Sequence, residues 1–341
     1  MNNPSDQEKP RSVAVIGAGG TIAALAETRA DFATYQGGAL TTGELLDWLR
    51  PELDDVALTE PVDFAGETGG CRTLRDYHAM STLVDERLEH ADAVVVLCGT
   101  RALEELAYWL DLTVRSPKPV VVTGSLRPWQ AFGSDGQANL YNAVVLAASG
   151  RTTGFGTVVM LNDRILAARE ATKASTFRLD AYESREWGVL GTIDGANIRL
   201  LRAPARRRRH GTPRWHTPFD LSTVAATELP RTEIAYSYVD ASGDAIAAFA
   251  AAGARGIVIA GDPSDRQGPA VKDAIVGGAV IVAANRNIAG AVYETGVPGI
   301  ISAEDLRPQK ARLLLTLGLA MTGDLDLLRS WFQEFGVPEF G

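Results

Sequence analysis

The chain has 341 residues, of which 46% are hydrophobic, and a net charge of −9. That length exceeds one ordinary domain and the apolar share is ample for large cores, so two globular domains are expected and extensive disorder is excluded. The acidic balance also argues against nucleic acid as a partner: the one basic run, RRRRH at 206–210, reads better as a solvated loop or a subunit contact than as a nucleic-acid patch.

The two cysteines, Cys71 and Cys98, do not make a disulfide framework. The opening residues MNNPSDQEKPRS are polar and lack an apolar signal core, and no apolar run reaches the roughly 18 residues of a membrane span. A cytoplasmic protein that stays off membranes is therefore expected. His78, His90, His210 and His216 show no H-x-x-H or H-x-x-x-H spacing, so no metal site is expected, and no cofactor.

In chain order, SVAVI (12–16), AVVVL (93–97), PVVVT (119–123) and TVVML (157–161) read as strands buried on both faces. Helical patterns fall at 42–50, 76–90, 102–112 and 136–149. Strands alternating with helices imply an α/β fold with a parallel sheet covered on both sides. The stretch FDLSTVAATELPRT (219–232) has no clear period and reads as a linker, after which the pattern restarts. EIAYSYV (233–239), GIVIAG (256–261) and AVIVAAN (279–285) are strand-like, with helices near 242–252 and 269–276 and two amphipathic helices at the C-terminus. The expected organisation is a larger N-terminal α/β domain over 1–220, a linker over 221–232, and a smaller C-terminal α/β domain over 233–341.

Sites in such sheets form beyond the carboxyl ends of the strands. Three junctions stand out there: GAGGT (17–21), CGTR (98–101) and TGSLRP (123–128). The first is a poor dinucleotide fingerprint, because G-x-G-x-x-G needs glycine at position 22, which is Ile22. Its glycines more plausibly bring backbone close around Thr21, which otherwise reads as a helix cap. In the second, Arg101 sits where a helix begins. A helix N-terminus already carries about half a positive charge, so a cation there calls for an anionic answer.

Taken together, AGGTIA (18–23), GTRALEELAYWL (99–110), VVVTGSLRPWQAFGSDGQANLYNAVVLA (120–147), LNDRILAAREATKASTFRLDAYES (161–184), HTPFDLS (216–222) and LRPQKARLLLTLGLAMT (306–322) resemble the L-asparaginase family of bacterial two-domain amidohydrolases. The resemblance runs in order over nearly the whole chain. It implies an asparaginase-like fold and a threonine nucleophile, Thr21, assisted by Tyr35 on a mobile loop. It also implies that Thr100 works with Lys173, and that the protein is a homotetramer built as a dimer of dimers, with a small-molecule amide as substrate. The chemistry is coherent: a threonine hydroxyl needs a base, and a lysine that loses its proton in a crowded, partly cationic pocket serves as one through Thr100. Backbone amides at the glycine turns would stabilise the oxyanion.

The departures fall on amino-acid recognition. The family's aspartate after the second-motif threonine, which holds the substrate α-ammonium, is Arg101 here. Its histidine is Cys98 and its last threonine is Ala102. The serine and neighbouring polar residue that bind the α-carboxylate are replaced by Gly69 and Gly70, and AGDPSDRQG (260–268) replaces a loop rich in glycine and asparagine. Ser125 lies at the third strand terminus as a candidate substrate contact; Asp135 and Asn139 read as residues that fix the turn and the following helix. Cys98 reads as a small buried residue, not a nucleophile, and Cys71 as a filler or a pocket residue. Two readings of Arg101 stand open: it faces a substrate carboxylate, or it pairs internally with Glu67. The expected function is hydrolysis of a non-standard, anionic amide lacking a free α-ammonium, with weak or no action on free L-asparagine. The alternatives are amide transfer, lactam or imide opening, or cyclisation through the same site, or a non-catalytic binding protein that kept the fold.

Overall fold

The computed structural model describes residues 10–67, 70–293 and 296–337. The chain divides into two compact units, Met1–His216 and Thr217–Gly341. The stretch 221–232 lies in the second unit and includes 3-10 turns at Leu221–Thr223 and Ala226–Glu228.

The first unit opens with β1 (Arg11–Gly17), followed by a short hairpin of β2 (Leu25–Ala26) and β3 (Tyr35–Gln36). Helices α1 (Thr42–Trp48) and α2 (Arg50–Leu53) lead to β4 (Ala57–Asp63). Then come α3 (Leu74–His90), β5 (Ala93–Leu97), α4 (Leu103–Thr113), β6 (Val120–Thr123), α5 (Gly136–Ser149) and β7 (Thr157–Leu161). The unit closes with β8 (Arg164–Ala167), β9 (Thr172–Lys173), β10 (Tyr182–Glu183), β11 (Gly191–Asp194) and β12 (Asn197–Leu200).

Eight of these strands form one sheet in the order β12-β11-β8-β7-β6-β5-β1-β4. The five strands from β4 to β7 are parallel; β8, β11 and β12 are added antiparallel. The sheet is thus mostly, not wholly, parallel. Every residue of β5, β6 and β7 is buried, as expected of strands with a helix on each face. β4 is an edge strand and carries Pro61, a residue that a central strand would not tolerate. Thr73 and Asp76 close a capping box that starts α3 three residues after Gly70.

The second unit has a four-stranded parallel sheet of β13 (Thr232–Tyr236), β14 (Gly256–Ala260), β15 (Val280–Ala284) and β16 (Ile300–Ser302), in sequential order. Its helices are α6 (Asp244–Ala251), α7 (Gln267–Val276), α8 (Pro308–Met321) and α9 (Leu325–Gly336). A separate core gathers Ala235, Ile246, Ile257, Ile259, Val271 and Ile281.

Candidate active site at the ends of the parallel strands

Strand register brings the chemistry-bearing turns together. Gly17 at the end of β1 pairs with Asp63 of β4 on one side and with Leu97 of β5 on the other, and Leu97 pairs with Thr123 of β6. The turns at 17–21, 98–101 and 123–128 therefore leave the sheet at one level. Gly20 has φ of 91°, and a Cβ there would lie 2.4 Å from the Gly99 nitrogen. Only glycine lets the first turn lie backbone against backbone on the second.

Thr21 begins a 3-10 turn over Thr21–Ala23, and the cap position before it is Gly20. It is buried, and its Oγ1 lies 2.8 Å from the Tyr35 hydroxyl. The capping role is thereby set aside: the β2–β3 hairpin, paired Ala26 to Tyr35, carries the tyrosine back over the threonine.

Thr100, buried after β5, receives a hydrogen bond of 2.7 Å from Lys173 Nζ. Its carbonyl receives another of 2.6 Å from the Tyr182 hydroxyl. Lys173 and Tyr182 face each other across the β9–β10 pair, so one two-stranded element holds both. The backbone N–H of Lys173 donates to Glu104 Oε2 at 3.1 Å. Half-burial holds the Lys173 ammonium below its ordinary pKa. The Arg101 charge pushes the same way, and Glu104 opposes. Thr100 thus has a lysine beside it that gives up its proton more readily than a free one.

Arg101 sits just before α4 and is exposed. Among the described residues it forms no ion pair. The expected alternative with Glu67 does not occur among the described residues: Glu67 pairs at 3.6 Å with Arg75. Both partners of that pair are more than half exposed. The acidic residues near Arg101 are Glu104 and Glu105 in the first turn of α4, where they offset the helix dipole.

Gly69 lies outside the described residues. Gly70 is buried, and a Cβ there would lie 3.3 Å from the Ala18 carbonyl oxygen, so this loop does reach the first turn. Ser125 is fully buried and donates its hydroxyl to the Arg127 carbonyl at 2.7 Å. That hydrogen bond makes it a brace of its own turn. Asp135 accepts from the Leu126 and Arg127 amides and from Asn139, whose amide also reaches the Gly124 carbonyl, so both fix the turn as expected. Burial pushes the Cys98 thiol up to about 12 and the Cys71 thiol higher still, so both stay protonated at neutral pH. The basic run is not wholly solvated: Arg206 turns inward to Asp111 at 3.2 Å and stacks 4.0 Å from the Trp215 ring centre. Among the described residues no group of three or more His, Cys, Asp or Glu side chains is placed to hold a metal ion. No described helix is long and apolar enough to cross a membrane.

Glu104 and Tyr182 escaped the sequence reading. An acidic pair in a helix's first turn was a signal for Glu104; nothing in local pattern marks Tyr182, whose role comes from strand pairing.

Residues 12–206 match the asparaginase N-terminal domain, and residues 231–332 the glutaminase/asparaginase C-terminal domain. L-asparaginase 2 of Bacillus subtilis (strain 168) is 34% identical, over 97% of this chain and 88% of that protein. The glutaminase-asparaginase of Pseudomonas fluorescens biotype A is 33% identical, over 96% and 91%. The crystal structure of a probable cytoplasmic L-asparaginase from Campylobacter jejuni superposes with a TM-score of 0.86 at 32% identity, covering 95% of this chain and 99% of that one. The fold and its site define an amidohydrolase. The chain belongs to the asparaginase family.

Proposed function

We propose that this amidohydrolase uses Thr21 as nucleophile on a small anionic amide that lacks a free α-ammonium. The observation that carries the reading is the pairing of two intact hydroxyl–base sets, Thr21 with Tyr35 and Thr100 with Lys173, beside an arginine that has no carboxylate partner among the described residues. Thr21 Oγ attacks the amide carbon as its proton passes to the neighbouring base. The tetrahedral intermediate expels ammonia, which takes up that proton, and leaves an acyl ester on Thr21. Water, deprotonated through Thr100 and Lys173, then cleaves the ester and frees the threonine.

Arg101 sets the substrate class. A guanidinium repels an ammonium and forks onto a carboxylate. An ω-monoamide of a dicarboxylic acid fits both demands; succinamate, which is asparagine without its amino group, is the simplest probe. Ammonia release from succinamate, glutaramate, L-asparagine and L-glutamine tests the reading. Succinamate or glutaramate should lead in kcat/KM by tenfold or more, at about 1.4 kcal/mol per tenfold; a lead for L-asparagine would refute it.

We further read the enzyme as a cytoplasmic homotetramer, a dimer of dimers. Tyr236, Tyr238 and Val239 are 58%, 59% and 93% exposed in the second unit, an apolar surface suited to a subunit contact. Two buried free thiols suit a reducing compartment. Sedimentation at micromolar concentration should give a tetramer; a species of 36.3 kDa alone would overturn it.

A further inference from the structure

The β2–β3 hairpin that carries Tyr35 is fastened to the turn after β6 by two reciprocal arginine–phenylalanine contacts. From the hairpin, the Arg29 guanidinium lies 4.5 Å from the centre of the Phe132 ring. From the turn, the Arg127 guanidinium lies 4.6 Å from the centre of the Phe32 ring. Each segment thus supplies one cation and one aromatic face. The same guanidiniums are held by backbone: Arg127 Nη1 donates to the Phe132 and Gly133 carbonyls at 2.9 and 3.0 Å, and Arg29 Nε to the Gln130 carbonyl at 3.3 Å. Two main-chain bonds complete the seam, Trp129 N to Ala24 O and Phe132 N to Arg29 O.

The hairpin has little else to keep it closed. It is two residues long on each strand, its tip from Glu27 to Ala30 is exposed, and Phe132 is itself 54% exposed. Its tip is shaped by Asp31, which accepts from the Ala33 and Thr34 amides. An isolated two-stranded hairpin is marginal in water, so contacts beyond its own ladder decide whether Tyr35 stays over Thr21.

We propose that Arg29, Phe32, Arg127 and Phe132 form a double latch that sets the closed population of the Tyr35 hairpin. They are positioning residues, acting on Thr21 only through Tyr35, and their catalytic consequence rests on the Thr21 reading above. The latch itself does not. Each contact at an exposed site shifts the open–closed balance by about two- to fivefold, so losing both shifts it by about tenfold. If the free enzyme is mostly closed, the shift shows as faster amide exchange in the hairpin. If it is mostly open, closure is completed during turnover and the shift shows as lower kcat/KM.

The test uses the full chain with Phe32→Leu and Phe132→Leu together, against Phe32→Tyr and Phe132→Tyr together. Leucine keeps apolar bulk and removes the aromatic face; tyrosine keeps the face. Hydrogen–deuterium exchange is followed at residues 25–36, with the buried β5 amides as internal reference, and ammonia release from succinamate and L-asparagine is measured in parallel. The leucine pair should raise hairpin exchange or lower kcat/KM by about tenfold, leave β5 exchange unchanged, and be rescued by the tyrosine pair. No change in either readout, a rise spread equally into β5, or tyrosine variants as impaired as leucine ones would overturn the latch. Thr21→Ala is run alongside: an undiminished rate in it would remove the threonine reading and leave the exchange result to judge the latch.

Discussion

Lys173 Nζ donates to Thr100 Oγ1 at 2.7 Å, and the charge of Arg101, the residue after that threonine, bears on the same lysine. A cation thus lies beside the lysine, and the negative charge there comes from Glu104 in the first turn of α4.

This arrangement predicts opposite shifts in pH dependence. Burial lowers the Lys173 pKa first, Arg101 lowers it further, and Glu104 raises it. If Lys173 is the base, as proposed, its active form is the neutral amine and activity rises with pH through that pKa. Arg101→Gln removes a lowering influence and should move the ascending limb of kcat/KM to higher pH. Glu104→Gln removes a raising one and should move it to lower pH. Profiles of the two variants shifting the same way would be inconsistent with Lys173 as the base.

Arg101→Asp should exchange substrate preference. Succinamate loses its charged partner, while the ammonium of L-asparagine gains one. Ratios of kcat/KM for the two amides, wild type against variant, check this. A ratio that stays put would mean that Arg101 does not face the substrate.

Tyr182→Phe deletes the donor to the Thr100 carbonyl and leaves that buried acceptor unpaired. Urea unfolding should show a loss of about 1–3 kcal/mol. The misplaced Thr100 should also cost about tenfold to a hundredfold in kcat. Full activity with reduced stability would make Tyr182 a purely structural brace.

The buried thiols should be spectators. Because the Cys98 thiol is pushed up to about 12 and Cys71 higher, iodoacetamide at pH 8 should leave activity intact, and Cys98→Ala should turn over at close to the wild-type rate. Rapid inactivation by the reagent, prevented by succinamate, would reopen a cysteine mechanism.

Much of the fold was legible because strands buried on both faces are short β-branched runs. AVVVL at 93–97 coincides with β5, and GIVIAG at 256–261 exceeds β14 by one residue. The edges were not legible. β4 reads ALTEPVD, half exposed and broken by proline, because an edge strand needs neither a double apolar face nor every N–H. β8, β11 and β12 reverse direction through turns that leave no mark in the apolar pattern. In the site, Thr21, Tyr35, Thr100 and Lys173 were named from the motifs, and the hydrogen bonds join them in two pairs. Of the two open readings of Arg101, the pair with Glu67 could not be judged from sequence, which does not say which arginine an exposed glutamate meets; Arg75 meets it. The role of Ser125 was not legible, because a hydroxyl at a strand terminus points inward as readily as outward; this one turns to its own loop.

Mass analysis of enzyme quenched during turnover of succinamate tests the central claim most directly. A succinyl adduct that maps to the peptide holding Thr21, and that vanishes together with ammonia release in Thr21→Ala, is the expected result. An adduct on another residue, or a Thr21→Ala enzyme releasing ammonia at the wild-type rate, would contradict it.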